Sequence, residues 1–121
     1  MLIRTLLSKF ALVAIGTGIG LQIHPAPQGP TEREIIEILA DYDVRHVPAL
    51  PGYHYFGVTD FNNHTIYILD NQDFVWKRRT ADHELIHVTR RMRMQELSDN
   101  DEEEAAVGAI EEAEYKRLFV N

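Results

Sequence analysis

Apolar residues recur at helical spacing in three stretches of the chain and cluster in strand-like runs between them. Ile35, Ile36, Ile38 and Leu39 mark one stripe of a helix that opens at Thr31. Thr31 and Glu34 have capping-box spacing, and Glu32 and Glu34 load the first turn with negative charge. This helix is expected to end near Asp41–Asp43. Asp43–Val47 predicts a first strand, closed by a turn with Pro48, Pro51 and Gly52. Tyr53–Phe61 and Thr65–Leu69 are β-rich runs on either side of Asn62-Asn63-His64, so a hairpin is expected. Ile66 and Ile68 alternate with Tyr67 and Leu69, which predicts cover on both faces of that strand. Leu85, Ile86, Val88 and Met92 supply the apolar surface of a second helix, with Thr80 as its N-cap and Asp82 in its first turn. Arg90, Arg91 and Arg93 fall late in it, and no Gly or Pro interrupts residues 80–97. Phe74 and Trp76 are expected to pack beneath this helix. A last helix runs from Asp99 or Asn100 to about Leu118. On it Ala105, Ala106, Ala109 and Ala113 make a small-residue stripe that would allow close approach to the preceding helix.

The chain before Thr31 has a different character. Residues 1–23 place Arg4 and Lys9 ahead of an apolar run from Phe10 to Leu21, which Gly16, Gly18 and Gly20 interrupt. A positive start before a run of this length has the form of a signal peptide or weak anchor. The alternative is an amphipathic or accessory segment that packs on the domain. Residues 24–30, with Pro25, Pro27, Gly29 and Pro30, read as a linker. Residues 31–121 are then the globular domain. Cytoplasmic residence is expected unless residues 1–23 act as a signal or anchor, in which case the chain is membrane-associated or exported.

The length of 121 residues suits one domain with a modest core. A net charge of −7, concentrated between Asp99 and Glu104, argues against nucleic acid as a partner. Cysteine is absent, so any zinc must be held by His and carboxylate.

His83-Glu84-Leu85-Ile86-His87 has the form His-Glu-x-x-His. On a helix, residues four apart share a face, so His83 and His87 can present two imidazole nitrogens to one Zn²⁺. Glu84 sits about 100° round the helix, where it can act on the ion's water without ligating the metal. The other histidines, His24, His46, His54 and His64, read as surface residues.

A zinc site needs more than two His. None follows His87, and Arg90 stands where a His-x-x-Gly-x-x-His extension would need Gly. A further ligand after the motif must be a carboxylate from the start of the last helix. Glu102 heads the alanine stripe and is favoured. Glu103 comes next: it heads the neighbouring stripe of Ala106, Val107 and Ile110, but could instead close a capping box with Asn100. Glu104 comes third, since it points towards Glu111 on the more polar side.

Gly57-Val58-Thr59-Asp60-Phe61, Thr65-Ile66-Tyr67-Ile68 and Arg79-Thr80-Ala81-Asp82-His83-Glu84-Leu85-Ile86-His87 together resemble the small gluzincin metallopeptidases, above all the ImmA/IrrE-like group of phages and mobile elements. The resemblance spans roughly residues 31–118. It implies a zincin-like α+β domain: an N-terminal helix, a small, mostly antiparallel sheet with a hairpin, the motif helix and a C-terminal ligand helix. It implies His83, His87 and a downstream Glu, here Glu102, as zinc ligands and Glu84 as general base. Ala106 departs from the family pattern, which often has a polar supporting residue there. The resemblance also implies that Val58–Phe61 borders the cleft and pairs with an extended substrate.

The expected activity is peptide hydrolysis by a zinc-activated water, with Glu84 moving the proton from water to the leaving amine. The oxyanion also needs a donor, and Tyr115 and Tyr55 are the candidates. The expected partner is a protein or peptide substrate. The rival expectation is a regulatory or interaction module that keeps the fold with weak or no turnover.

Overall fold

The computed structural model describes residues 28–50, 52 and 56–119. The signal- or anchor-like segment 1–23, linker residues 24–27 and the candidate donor Tyr55 lie outside these. The fold is α+β. It has helices α1 (Glu32–Asp41), α2 (Phe74–Met92) and α3 (Asn100–Phe119) and a sheet of β1 (Asp43–Val47), β2 (Gly57–Asp60) and β3 (Thr65–Leu69). Among the described residues no helix is long and apolar enough to cross a membrane.

The start signal of α1 and the turn signal between β2 and β3 act as predicted. The Glu34 amide donates to Thr31 Oγ1 at 3.2 Å and the Thr31 amide to Glu34 Oε1 at 2.9 Å, closing the capping box of α1. Between β2 and β3 the Asp60 carboxylate accepts from the amides of Asn62 (3.0 Å) and Asn63 (3.2 Å), which holds the hairpin turn. β2 and β3 pair antiparallel, as expected. The sheet as a whole is mixed rather than mostly antiparallel, because β1 runs parallel to β3, from Asp43 opposite Thr65 to Val47 opposite Leu69. The strand order is β1-β3-β2. The most apolar run, β3, takes the central place, and the exposed, polar β1 takes an edge.

α2 starts six residues before Thr80. Asp73 is its N-cap, and Asp73 Oδ1 accepts the Trp76 amide at 2.9 Å. Thr80 is buried inside the helix, where its hydroxyl donates to the Trp76 carbonyl at 2.8 Å. Phe74 and Trp76 therefore sit in the exposed first turn and do not pack beneath the helix. α2 also stops short of residue 97. Met94 turns left-handed (φ 59°), the Gln95 amide reaches back to the Arg90 carbonyl (2.8 Å) and the Met94 amide to that of Arg91 (3.1 Å). This is a Schellman closure with Met where Gly is usual.

The core joins Ile35 and Ile38 of α1, Ile66 and Ile68 of β3, and Ala81, Leu85 and Val88 of α2. α3 covers another side of α2 through Ile86, Val107 and Ile110. α2 is thus held between the sheet with α1 and the helix α3. The alanine stripe does not make the α3 contact: Ala105, Ala109 and Ala113 are exposed, while Glu103, Val107, Ile110 and Glu114 are buried. Val and Ile remove more apolar area from water than Ala does, so their burial sets the rotation of α3.

Arg93, at the end of α2, clamps the start of the described chain. Its guanidinium donates to Glu34 Oε2 (2.8 Å), to the Gln28 carbonyl (2.9 Å) and to the Gly29 carbonyl (3.0 Å). Gly29 and Pro30 are buried, so this part of the linker lies against the body. Burial alone would raise the Glu34 carboxyl, but the bonds from Arg93 and Thr31 hold it below its ordinary value. A folded pKa below the unfolded one gives stability above the unfolded value of about 4.3, lost as pH falls through the folded value. Glu34→Gln is expected to cost about 1 kcal/mol at neutral pH and progressively less below about pH 4.5. Urea unfolding at neutral and acid pH measures this, and a cost that does not shrink on acidification would overturn it.

Candidate metal centre

One helical turn of α2 brings His83 and His87 together, with their Nε2 atoms 3.2 Å apart. Packing on several sides fixes the backbone beneath them. α3 adds Glu104, whose Oε2 lies 3.1 Å from His83 Nε2 and whose Oε1 lies 3.0 Å from His87 Nε2. Among the described residues these three form the one His–carboxylate group spaced to hold a metal ion. Zinc with bonds of about 2.0–2.1 Å in tetrahedral geometry puts neighbouring donor atoms about 3.3 Å apart. The observed 3.0–3.2 Å spacing fits that ion, although the two shortest contacts use different oxygens of Glu104.

Glu102 is not brought to this cluster. It stands exposed in the first turn of α3, where its amide donates to Asp99 Oδ1 at 2.9 Å. Glu103 is buried and engaged elsewhere: Arg90 donates to it twice (2.8 and 3.0 Å), and so does the Leu97 amide (2.9 Å). With Val107 and Ile110 facing α2, the alanine stripe and Glu102 at its head turn outward. Glu104 then swings to the histidines.

Both imidazoles direct Nε2 to the shared point and leave Nδ1 near a second carboxylate. Glu111 Oε2 is 3.6 Å from His83 Nδ1, and Glu103 Oε2 is 4.0 Å from His87 Nδ1. A carboxylate that accepts from Nδ1 orients a metal-binding imidazole, and Glu111, the nearer of the two and not held by Arg90, is the one placed to do so on a small shift. Glu111 thus offers support that Ala106 cannot. It lies two turns beyond Glu104 on the same face of α3, a spacing visible in the sequence but readable there as a solvated polar side.

Glu84 is buried beside this group. Thr59 Oγ1, from β2, donates to its Oε1 at 2.7 Å. Gly57 makes the approach of β2 to α2 feasible. A Cβ there would come within 2.5 Å of Thr80 Cγ2, 3.2 Å of the Tyr67 carbonyl oxygen and 3.4 Å of Glu84 Cγ. Neither contact was apparent from sequence, since each joins residues distant along the chain. Burial pushes the Glu84 carboxyl above its ordinary value, against the pull of the Thr59 bond and the two imidazoles. Burial would lower His83, but Glu111, Glu84 and Glu104 overcome it and raise the imidazole to about 9. The same ring of carboxylates would favour a divalent cation at this point.

A cleft of about 310 Å³ runs beside the group, lined by β2 residues Gly57–Thr59, by Glu84, His87 and Glu104, and by the 96–100 loop. β2 is a sheet edge. Tyr115 does not line the cleft. Its hydroxyl donates to Asp82 Oδ2 at 2.6 Å, and burial with the Asp82 charge raises its pKa.

Comparison of the chain with protein-family models, with curated proteins and with solved structures gives no match.

Proposed function

We propose that the protein is a zinc-dependent metallopeptidase of a minimal, gluzincin-like kind, with His83, His87 and Glu104 as ligands. The observation that carries this reading is the convergence of two Nε2 atoms and one carboxylate at 3.0–3.2 Å spacing, with the buried Glu84 one residue after His83. A bound zinc ion would supply a water of lowered pKa and polarise the scissile carbonyl. Glu84 takes the proton from the attacking water and returns it to the leaving amine. Thr59 holds the Glu84 carboxylate in place. β2, at the edge of the sheet, receives an extended peptide by strand pairing, so that its backbone passes along the cleft.

A second reading, a zinc-holding interaction module with weak turnover, is favoured by one observation. Among the described cleft-lining side chains there is no Tyr, Arg or Lys to receive the oxyanion, and Tyr115 is committed to Asp82. Ser98 and Asn100 are the polar groups on that wall of the cleft that could replace it.

Elemental analysis with zinc titration tests the centre. Structural zinc sites bind with about 10–16 kcal/mol, so one ligand of four is worth about 3 kcal/mol, or roughly a hundredfold in affinity. Wild type is expected to hold one zinc per chain, Glu104→Ala to bind about a hundredfold more weakly, and Glu102→Ala to match wild type. Zinc-free wild type, or Glu102→Ala losing zinc while Glu104→Ala keeps it, would sink this assignment. Chelator-sensitive cleavage of an unstructured protein by the wild type separates the peptidase from the module.

A further inference from the structure

The first turn of α2 presents large apolar side chains to solvent. Phe74, Val75 and Trp76 are 66%, 64% and 48% exposed. Phe56, 50% exposed, stacks with Trp76 at a centroid distance of 6.1 Å. Lys77, Arg78 and Arg79 follow at once, and they are the only three consecutive cations in the chain. The acidic groups near them are Asp73, which caps the helix, Asp70, which pairs with Lys77 at 2.8 Å, and the buried Asp82, which accepts from the hydroxyl of the Tyr115 ring that Arg79 covers. Three consecutive cations make this end less acidic than the rest of a chain of net charge −7. The Arg79 guanidinium lies 5.1 Å from the Trp76 ring centroid and 4.7 Å from that of Tyr115, so this cation borders the aromatic patch, and Lys77, Arg78 and Arg79 are all half-buried beside it.

We propose that this end of α2 docks on an anionic lipid surface. Phe74, Val75, Trp76 and Phe56 enter the boundary between headgroups and acyl chains, and Lys77, Arg78 and Arg79 meet the lipid phosphates. Apolar wedges beside basic groups are the chemistry of interfacial attachment, and Trp and Arg both suit an apolar-to-wet boundary. A bilayer fits this patch better than a second folded surface does. Half-exposed side chains of this size offer roughly 400 Å² in all, about half of what each partner of a stable protein complex buries. The remaining acidity of the chain favours approach by this end, since other faces are repelled by anionic lipid. One such patch gives reversible binding, and the apolar run Phe10–Leu21 in the sequence offers a second signal of the same kind. This inference stands apart from the metal centre and needs no zinc.

Trp76 is the single tryptophan of the chain, so its fluorescence reports this patch alone. The full chain is mixed with vesicles of phosphatidylcholine carrying phosphatidylglycerol, with and without bromine on the acyl chains. The expected result is a blue shift of Trp76 emission and its quenching by the brominated lipid. Phe74→Ser with Val75→Ser is expected to weaken vesicle binding by about tenfold or more, at unchanged helical circular dichroism. Sedimentation with vesicles while Trp76 emission stays unchanged would overturn the proposal, because another segment then makes the contact. So would an equal response to pure phosphatidylcholine. Emission already blue-shifted and shielded from acrylamide without lipid would also overturn it. That shielding would assign the patch to another part of this chain if independent of protein concentration, and to a second copy if it grew with concentration.

Discussion

Glu84→Gln is expected to keep zinc at the wild-type level and to lose about 10²–10⁴ in turnover of an unstructured protein. The substitution keeps the size and shape of the side chain. The amide oxygen can still accept the Thr59 hydroxyl that Glu84 accepts at 2.7 Å, so β2 and α2 should stay together. What disappears is a group able to take a proton. Glu84 is buried and its carboxyl is raised above the ordinary range, which makes it a stronger base than a solvated glutamate. It is not among the residues that gather around the candidate ion, which are His83, His87 and Glu104. Zinc content and turnover should therefore separate in this variant, whereas in Glu104→Ala they should fall together. Zinc lost with Glu84→Gln would make Glu84 part of the metal-holding framework. Turnover retained with Glu84→Gln would exclude it as the base and favour a different origin for the cleavage. Absence of turnover in wild type that holds zinc would favour the interaction module.

The first half of this centre was legible because its physics is local. His83 and His87 face one way on any helix, and one turn of backbone fixes their spacing. The carboxylate from α3 was not legible in the same way. Its identity depends on how α3 rotates about its own axis, which tertiary packing decides. Small residues at Ala105, Ala109 and Ala113 suggested a close contact, but they face solvent, and the larger Val107 and Ile110 take the interface. A rotation of about one residue, roughly 100°, brings Glu103, Val107 and Ile110 into the interface in place of Glu102 and the alanines, with Glu104 on the side of the histidines. Arg90 was equally opaque. Late in a helix it looks like a cation placed for the dipole, yet it is buried and paired across the helix junction.

The same division runs through the fold. The capping box of α1 and the Asp60–Asn63 turn are short-range devices, and both stand where the sequence places them. The ends of α2 do not. Thr80, which has the form of a cap, lies inside the helix, and Asp73 caps it seven residues earlier at a first turn that buries none of its large apolar residues. Met94 ends it in a left-handed conformation without the glycine that would have marked the stop. The direction of β1 relative to β3 is set by tertiary pairing, which apolar patterning does not record.

Arg90→Met is expected to destabilise the fold by about 3–5 kcal/mol, a fall in melting temperature on the order of 10–20 °C for a domain of this size. Arg90 and Glu103 are 7% and 4% exposed and meet by two hydrogen bonds of 2.8 and 3.0 Å. Arg90 also donates to the Gln95 carbonyl (2.9 Å), and Glu103 accepts the Leu97 amide (2.9 Å). The pair therefore staples the end of α2, the following loop and the start of α3. Methionine keeps the aliphatic bulk but leaves the Glu103 carboxylate buried with no countercharge from Arg90, and that uncompensated charge is the source of the cost. Adding Glu103→Gln removes the charge and keeps an acceptor for Leu97, so the double variant is expected to recover about half of the loss. Arg45→Met, which breaks an exposed pair with Asp43, should leave stability unchanged within measurement. Because Glu104 follows Glu103 directly, loosening this junction should also weaken zinc binding by about tenfold at temperatures where the single variant remains folded. Thermal unfolding and zinc titration of these variants, with Glu103→Gln alone to complete the cycle, read both effects. A small cost for Arg90→Met, or strict additivity with Glu103→Gln, would mean that apolar packing of Ile86, Val107 and Ile110 alone sets the junction. Glu104 would then owe its place beside the histidines to that packing and not to the ion pair.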